Sequence, residues 1–203
     1  MKDFWNVRYS EEAYAYGTAP NVFFRDELKK IPPGKALFPA EGEGRNAVHA
    51  ATCGWNVVAF DQSETGKEKA LQLAANKGVE IDYQVTSLAE FETHEESFDA
   101  LVLIYAHFPE ALRKAFHQKL SQMVKPGGFL LLEGFSKQHL EYNSVNERAG
   151  GPKELSMLFS LEEVAADFSD FEIQFSEETT VQLNEGIYHV GESAVVRLVG
   201  IKK

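Results

Sequence analysis

The sequence predicts an α/β fold with a doubly wound, mostly parallel sheet of seven strands and an antiparallel C-terminal hairpin. Two observations carry this prediction. Between residues 35 and 132, short apolar runs alternate with helical patterns, as in parallel sheets whose strands are connected by crossover helices. After residue 170, the two remaining apolar runs have no helical pattern between them, which indicates antiparallel pairing.

Three strands and two helices account for the first half of this alternation. The predicted strands are Lys35–Pro39, Trp55–Phe60, which ends at Asp61, and Val79–Val85. The first connecting helix, Arg45–Cys53, is stopped by Gly54. The second helix can be capped by Ser63 and ends at Gly78.

The second half adds four strands: Phe98–Ile104, Phe129–Leu132, Phe171–Phe175 and Ala194–Ile201. The first of these is apolar except for Asp99, as expected of a strand buried on both faces. Pro109 can take the first position of a helix that ends near Val124. Ser160 and Glu163 have the spacing of a capping box, which predicts a further helix.

Composition favours a small-molecule function. The 203 residues include 31 acidic and 20 basic side chains, a net charge of -11, whereas duplex nucleic acid and anionic membranes attract clusters of Lys and Arg. We therefore expect a small-molecule substrate, no nucleic-acid partner and no membrane partner. The length suits one domain over residues 1–203, present as a monomer or a homodimer.

The cysteine content and the apolar runs predict a cytoplasmic protein. Cys53 is the single cysteine, so no internal disulfide can form, and we expect it to be a small buried residue. The longest apolar runs are too short for a transmembrane helix, and no secretory signal is visible. The histidines share no metal-ligand spacing with Cys or acidic residues, so we expect no metal site.

A glycine loop after the first strand is the main chemical feature. Gly42 and Gly44 let the backbone approach a ligand closely, and the following helix has unpaired N–H groups at its N-terminus. Asp61 ends the next strand, where a carboxylate can accept both hydroxyls of a ribose. The alternative is a tight turn between strand and helix without a ligand.

The charges beside the glycines favour one class of cofactor. Gly42, Gly44 and Ala47 also fit a dinucleotide fingerprint, but a pyrophosphate there would meet Glu41 and Glu43. Two like charges about 4 Å apart repel by about 4 kcal/mol at a surface-like dielectric. A ligand with a sulfonium and an ammonium group suits the acidic loop better, and its single carboxylate could use the helix N-terminus.

These residues resemble those of class I S-adenosylmethionine-dependent methyltransferases, and within them the bacterial branch related to tellurite-resistance and thiopurine methyltransferases. The matching motifs are the loop Glu41–Asn46, the ribose-binding acid Asp61, Ser97–Ala100, Tyr105–Pro109 and the turn Lys125–Gly128. The resemblance covers nearly the whole chain. It implies a Rossmann-like class I methyltransferase fold, S-adenosylmethionine as cofactor, residues 1–34 as a segment that covers the cofactor, and residues 137–154 as a substrate-side insertion.

Three positions depart from the family pattern. Phe38 stands where the family often has Asp, Ala40 where it often has Gly, and Thr86 where an acid often faces the adenine. The loss of the Asp removes an acceptor for the loop, whereas Ala still permits a fairly tight turn. We expect weaker cofactor affinity or an altered geometry, but not a loss of binding.

The resemblance assigns the candidate cofactor-binding residues. They are Trp5, Tyr9, Tyr16, Glu41, Gly42, Glu43, Gly44, Arg45, Asn46, Asp61, Gln62, Ser63, Thr86, Ser87, Leu88 and Tyr105. The three N-terminal aromatics would form a lid over the sulfonium, or else pack an N-terminal helix on the core. Arg8 and Arg45 are candidates to pair with the methionine carboxylate or an anionic substrate, with surface ion pairs as the alternative.

His107 and Tyr105 are the candidate catalytic residues, because the resemblance places the transferred methyl at the end of the fourth strand. His107 could be a general base or a substrate contact, or a hydrogen-bonded histidine at a strand end. Tyr105 could line the site or pack in the core. His189 lies at the turn of the C-terminal hairpin, either near the substrate or in a structural pair with Tyr188.

The leading functional hypothesis is methyl transfer from S-adenosylmethionine to a small soft nucleophile, such as a thiol or a selenium or tellurium oxyanion. Two alternatives stay open: an NAD(P)-dependent oxidoreductase, and a non-catalytic S-adenosylmethionine-binding protein. The chain is short for an oxidoreductase with the usual second domain. A thiolate or an oxyanion needs no general base, whereas an oxygen or amine nucleophile would make His107 more important.

Overall fold

The computed structural model describes residues 2–203. The strands are β1 Lys35–Pro39, β2 Asn56–Asp61, β3 Asp82–Val85, β4 Phe98–Ile104, β5 Val124–Phe135, β6 Phe171–Glu185 and β7 His189–Lys202. The helices are α1 Lys2–Tyr9, α2 Val22–Leu28, α3 Arg45–Thr52, α4 Glu64–Lys77, α5 Glu110–Gln122, α6 His139–Asn143 and α7 Leu161–Asp167. Short 3₁₀ turns cover Glu147–Ala149 and Leu155–Met157.

The seven strands form one sheet in the order β3-β2-β1-β4-β5-β7-β6. Strands β1 to β5 pair in parallel, and β7 pairs antiparallel with both β5 and β6. The predicted fold class is therefore confirmed. The strand order reverses direction between β1 and β4, and ligands of such sheets bind outside the carboxyl ends of the strands at this point.

Apolar side chains bury both faces of the sheet. Along β4, Leu101 and Leu103 belong to one core cluster, and Ala100 and Val102 to the cluster on the opposite face. This alternation follows from the two-residue period of a strand. It explains why β4 reads as an almost unbroken apolar run.

The signals at helix ends were the most reliable part of the sequence pattern. The Ser63 hydroxyl accepts the Gly66 N–H at the start of α4, and Gly78 ends that helix with φ of 69°. Both halves of the predicted capping box form at α7. Pro109 differs from the prediction by one position, because it is the N-cap of α5 and not its first helical residue.

Four strands differ in length from the prediction. β3 begins at Asp82 and not at Val79, because the Val79 N–H bonds the Ala74 carbonyl and so completes the end of α4. β5 is longer than residues 129–132, and the hairpin strands β6 and β7 have 15 and 14 residues. Polar residues alternate along one side of β6, so no apolar run marks its true length.

The two segments outside the predicted alternation have helices of their own. α1 and α2 lie in residues 1–34, and α6 lies in residues 137–154. Cys53 is exposed and not buried, since it caps the C-terminus of α3 at the surface. No helix within residues 2–203 has the length and apolar character needed to cross a membrane.

Candidate functional site

The glycine loop between β1 and α3 is closed by its own acid. Oε1 of Glu41 accepts the N–H groups of Asn46 at 2.9 Å and Ala47 at 2.7 Å. Gly44 supports this turn as the N-cap of α3, with φ of 83°. Two N–H groups of the first helical turn are thus occupied from within the chain and are not free for the ligand carboxylate that the sequence had led us to expect there.

Gly42 is the point where four segments meet. Its N–H donates to Oδ2 of Asp61 at 3.1 Å, and its carbonyl accepts the Tyr83 hydroxyl at 2.5 Å. A Cβ added to Gly42 would lie 2.5 Å from the Tyr9 hydroxyl oxygen. A Cβ added to Gly66 would lie 2.9 Å from the Gly42 carbonyl oxygen. With φ of 61° as well, this position requires glycine.

Asp61 lies at the carboxyl end of β2 and is only 7% exposed. Its two oxygens accept the N–H groups of Ser63 at 2.9 Å and Gly42 at 3.1 Å. A carboxylate has about four acceptor positions. Asp61 can therefore hold both loops and still accept hydroxyl groups of a ligand.

Three carboxyl groups are crowded into this edge of the sheet. Burial raises the pKa of Glu41 to about 7 and also raises the pKa values of Glu43 and Asp61. A cationic ligand would favour the charged form of each group, whereas a pyrophosphate would oppose it. The donor set therefore fits a cofactor with sulfonium and ammonium groups.

The predicted aromatic lid divides into two parts. Tyr9 is 4% exposed beside Gly42, and Trp5 stacks on it with ring centroids 5.5 Å apart. Asn6, between them in the sequence, accepts the Ser63 hydroxyl at 2.7 Å and so fixes α1 to α4. Tyr16 lies instead against His189, with ring centroids 4.3 Å apart.

The residues predicted to face the adenine have mixed roles. The Thr86 N–H donates to the Asp61 carbonyl at 3.0 Å, which brings the ends of β2 and β3 together. The Ser87 hydroxyl donates to Glu90 at 2.8 Å, and Leu88 packs in the hydrophobic core. Gln62 lies half-buried next to Asp61.

Tyr105, directly after β4, is held in a strained backbone conformation. Its φ is 54°, an uncommon value for a residue with a side chain. Its N–H donates to the Glu133 carbonyl at 2.7 Å, and its hydroxyl donates to Oε1 of Glu133 at 2.9 Å. The ring stacks on Phe135 at 4.6 Å and meets His189 edge-on at 4.6 Å.

Glu133 was not predicted as a site residue. It lies near the end of β5 and is 1% exposed. Besides the Tyr105 hydroxyl, its carboxylate accepts Nδ2 of Asn21 at 2.6 Å and Nε of Arg197 at 2.5 Å. Its one signal in the sequence is its place directly after the apolar run Phe129–Leu132. An acid at the carboxyl end of a buried parallel strand points into the crevice where ligands bind.

His107 has both ring nitrogens engaged by backbone. Nδ1 lies 2.8 Å from the Met157 carbonyl, and Nε2 accepts the Phe135 N–H at 3.0 Å. These partners set a neutral ring with its proton on Nδ1, and burial lowers the pKa of His107 to about 3. Of the two interpretations of His107, this geometry favours the hydrogen-bonded histidine over the general base.

Arg45 forms a buried ion pair with the C-terminal hairpin. Its Nη2 lies 2.8 Å from Oε2 of Glu185, and its Nη1 donates to the Tyr16 carbonyl at 3.4 Å. Glu185 also meets Nδ1 of His189 at 3.2 Å. Burial opposes ionisation of Glu185, but Arg45 and His189 outweigh it and lower its pKa to about 2.

Most of the predicted site residues thus fall into two groups. Glu41, Gly42, Asp61, Tyr9 and Tyr105 meet at the carboxyl ends of β1, β2 and β4. Several others serve contacts within the chain, and these are Glu43, Arg45, Asn46, Ser63, Ser87 and Leu88. Within residues 2–203, no three His, Cys, Asp or Glu side chains group in a way that could hold a metal ion.

Comparison with known proteins adds to this geometry. A family model described as a methyltransferase domain matches residues 39–128, just under half of the chain. The matched region includes the glycine loop, Asp61 and Tyr105. A curated relative, the probable thiol methyltransferase 2 of Arabidopsis thaliana, is 28% identical over 130 residues, which cover 62% of this chain and 54% of the relative. This chain therefore spans about half the length of that relative.

These sequence matches support a class I S-adenosylmethionine-dependent methyltransferase.

Solved structures share the methyltransferase fold at low identity. One, from work on the conversion of a disulfide bond into a thioacetal group during echinomycin biosynthesis, has a TM-score of 0.81 at 17% identity and covers 100% of this chain and 92% of its own. TehB from Haemophilus influenzae has a TM-score of 0.71 at 17% identity, with coverage of 100% and 67%. The magnesium protoporphyrin IX methyltransferase of Synechocystis PCC 6803, solved with bound S-adenosylhomocysteine, has 0.66 at 14%, with coverage of 99% and 93%.

Proposed function

We propose that this methyltransferase binds S-adenosylmethionine at the glycine loop and methylates a small soft nucleophile, with a thiol as the first candidate. The observation that carries the proposal is the group of buried carboxyls Glu41, Glu43 and Asp61, whose pKa values are all raised. Such a group favours a cationic cofactor and disfavours a pyrophosphate, which speaks against NAD(P).

The chain's own residues would hold and orient the cofactor. Asp61 accepts the ribose hydroxyls through its remaining lone pairs, and Glu41 offsets the positive charge. Tyr9 and Trp5 cover the loop and exclude water. When bound, S-adenosylmethionine supplies a methyl group that its sulfonium already activates. Tyr105, fixed by Glu133, forms the wall on the acceptor side.

An acceptor that ionises without help fits the site best. Both ring nitrogens of His107 are hydrogen-bonded to backbone groups, so it is a poor general base. A thiolate or a chalcogen oxyanion needs none, and its alignment with the methyl group provides most of the rate enhancement. The names of two similar proteins, a probable thiol methyltransferase and TehB, agree with this choice.

We also propose the class of substrate, the cellular location and the oligomeric state of the protein. The net charge of -11 favours a small-molecule substrate over nucleic acid. We place the protein in the cytoplasm, as a single domain that acts as a monomer or a homodimer. Its branch within the family is the one related to tellurite-resistance and thiopurine methyltransferases.

Calorimetry with S-adenosylhomocysteine and NAD tests the cofactor. The wild type should bind S-adenosylhomocysteine and should not bind NAD. Asp61→Asn should weaken S-adenosylhomocysteine binding by about 10- to 100-fold, because it loses charged hydrogen bonds of about 1.5–3 kcal/mol. Asp82→Asn, at an exposed acid on β3, is the matched control and should leave the affinity unchanged.

An acceptor panel of thiols, selenite, tellurite and phenols, read out as cofactor consumption, tests the reaction. Turnover with thiols is expected. Cofactor binding without turnover on any acceptor would favour the non-catalytic alternative, and binding of NAD alone would favour an oxidoreductase.

A further inference from the structure

A cavity of about 260 Å³ opens beside the carboxyl ends of β4 and β5. Its walls come from the start of α5, the segment after β5, the second 3₁₀ turn and α7. The lining residues are Glu110, Arg113, Lys137, Leu155, Ser156 and Glu163. Ligands of parallel sheets bind at this edge, and no residue of the glycine loop lines the cavity.

Arg113 is the most buried charge of the cavity, with 11% of its side chain exposed. Its Nε donates to Oδ2 of Asp167 at 2.9 Å, and the same oxygen lies 3.0 Å from Nδ1 of the fully buried His117. Burial opposes ionisation of Asp167, but hydrogen bonds from His117 and Arg113 outweigh it and lower its pKa. These contacts fix one edge of the guanidinium between α5 and α7.

The other edge of the guanidinium is left for a ligand. Within residues 2–203, the terminal amino groups of Arg113 make no hydrogen bond, and the ion pair of Nη1 with Glu163 is loose at 3.5 Å. Four N–H donors therefore remain, in a planar fork that matches a carboxylate. Lys137 adds to them, because its Nζ uses one of three donors on Oε1 of Glu163 at 2.7 Å.

Glu110 places an opposite charge beside this fork. It lies three residues before Arg113 on α5, and residues at this spacing are neighbours on one helix face. Within residues 2–203 no ion pair joins the two, because the guanidinium is turned to Asp167. Glu163, in contrast, has one oxygen on Lys137 and the other on the N–H of Ser160. The cavity thus presents unused donors and an unpaired carboxylate next to each other.

The sum of charges selects the class of ligand. The cations are Arg113 and Lys137, and the acids at or behind the lining are Glu110, Glu163 and Asp167. A phosphate or a simple carboxylate would add to the surplus of negative charge, and a simple amine would have to approach two cations. A zwitterion adds no net charge. An α-amino acid carries its carboxylate and its ammonium on one carbon, which suits the neighbouring charges of Arg113 and Glu110.

The cavity adjoins the wall on the acceptor side. Tyr105 stacks on Phe135, and the His107 ring stacks on the same phenyl ring with centroids 5.8 Å apart. His107 also bonds the Met157 carbonyl in the second 3₁₀ turn, which forms part of the cavity wall. Lys137 follows Phe135 by two residues. A ligand held in the cavity therefore lies next to the residues that support Tyr105.

We propose that the methyl acceptor is an amino-acid thiol, and that its ammonium and carboxylate groups bind in this cavity between Glu110, Arg113 and Lys137. This inference rests on the proposed function and names the substrate class. The thiolate sulfur gains the methyl group, and the cofactor sulfur keeps the electron pair of the broken bond. The products are the S-methyl amino acid, S-adenosylhomocysteine and one proton released to solvent.

Four thiols with the same two-carbon body test the proposal. L-Cysteine carries both charged groups, 3-mercaptopropionate the carboxylate alone, cysteamine the ammonium alone, and ethanethiol neither. Calorimetry on the protein loaded with S-adenosylhomocysteine should give L-cysteine an affinity at least about 10-fold above each of the others, since charged hydrogen bonds are lost in every one of them. Methyl transfer should follow the same order in kcat/KM.

Variants assign the two charged groups to their partners. Lys137→Met should weaken L-cysteine and 3-mercaptopropionate by about 5- to 10-fold and leave cysteamine and ethanethiol unchanged. Glu110→Gln should weaken L-cysteine and cysteamine alone. Lys114→Met and Glu162→Gln, at exposed residues of α5 and α7, are the matched controls and should change none of the four.

Arg113→Lys keeps a positive charge near Asp167 and removes the planar fork. It should weaken the two thiols that carry a carboxylate, while the affinity for S-adenosylhomocysteine stays that of the wild type and shows that the fold is intact. Arg113→Met is not suited to this test, because it would leave the buried Asp167 short of a partner.

Three results would overturn the proposal. The first is equal affinity of the wild type for all four thiols. The second is a loss in Lys137→Met that is as large for ethanethiol as for L-cysteine. The third is methyl transfer to ethanethiol but not to L-cysteine, which would separate the cavity from the acceptor. A wild type that does not bind S-adenosylhomocysteine would instead contradict the proposed function, and the thiol series on the cofactor-free protein would still show whether the cavity selects a zwitterion.

Discussion

At the scale of single residues, Glu41 sets the charge and the hydrogen bonding of the glycine loop. A helix N-terminus attracts anions, and in dinucleotide-binding folds this attraction serves a pyrophosphate. Here Glu41 takes that position from within the chain, with N···O distances of 2.7 and 2.9 Å. The loop thus keeps the glycine pattern of a phosphate site while its charge is opposite to what a phosphate requires.

The raised pKa of Glu41, about 7, predicts proton release when a cation binds. A positive ligand favours the ionised carboxylate, so S-adenosylmethionine binding should release a fraction of a proton near pH 7, and its affinity should rise from pH 6 to pH 8. Calorimetry in buffers of different ionisation enthalpy measures the release.

Glu41→Gln should abolish that proton release, whereas Glu68→Gln, at an exposed acid on α4, should not change it. Proton uptake in place of release, or an unchanged release in Glu41→Gln, would assign the titration to another group.

Phe38 shows how a departure from a family pattern can be structural. The resemblance suggested a lost acceptor at this position. In the fold, Phe38 is buried and packs edge-on against Phe24 of α2, with ring centroids 5.7 Å apart. The loop acceptor is instead supplied by Glu41, three residues later.

At the scale of elements, His107 fastens three segments at the carboxyl end of the sheet. It follows β4, bonds the backbone of Phe135 in β5 and that of Met157 in the second 3₁₀ turn, and stacks on Phe159 at 4.4 Å. A ring in this position packs between these segments, and both of its nitrogens have backbone partners.

His107→Gln should therefore lower stability and leave S-adenosylhomocysteine affinity within about twofold. The loss of a packed ring and two hydrogen bonds costs about 2–4 kcal/mol in urea unfolding at pH 7.5. His107 has a lowered pKa in the folded state, about 3. The unfolded chain therefore binds its proton first, and the wild type loses stability as pH falls below 6.5.

The variant lacks this titration, so the difference in unfolding free energy between wild type and His107→Gln should narrow between pH 7.5 and pH 5. A constant difference over that range, or a large loss of turnover in a stable variant, would restore a catalytic role for His107.

At the scale of the whole molecule, the ion pair of Arg45 and Glu185 connects the two ends of the chain to the glycine-loop helix. Arg45 also bonds the Tyr16 carbonyl, and Glu185 also accepts Asn21 at 3.3 Å. Both charges are buried, so either one alone would be left without a partner. The glycine loop, the N-terminal segment and the C-terminal hairpin are thereby held in one arrangement.

Glu185→Gln should therefore cost about 3–5 kcal/mol of unfolding free energy, because it leaves Arg45 as an unpaired buried charge. Urea denaturation measures the loss. Glu147→Gln, in the exposed pair with Lys153, is the matched control and should change stability by less than about 1 kcal/mol.

The double variant Arg45→Met, Glu185→Leu should recover most of that stability, since neither charge remains buried. If Glu185→Gln is no more destabilising than Glu147→Gln, the pair does not hold these segments together.

Much of the fold could be predicted because its signals are local. Ser63, Gly78 and Ser160 mark helix ends through contacts within four residues, and the apolar run of β4 reports burial on both faces. The length of β6 could not be predicted, since its pairing with β7 depends on backbone hydrogen bonds and not on an apolar pattern.

The candidate site, too, could be predicted only where its features depend on residues that are close in the sequence. The order of residues was enough to establish the parallel sheet, the acidic glycine loop and Asp61 at the next strand end, because each depends on neighbours in the chain. Packing in three dimensions decided the partners: Glu41 on the α3 N-terminus, Arg45 on Glu185, Tyr105 on Glu133, and Arg8 left with neutral groups. The pair of Arg45 and Glu185 joins segments 140 residues apart, and only the completed fold brings these two charges within reach of each other.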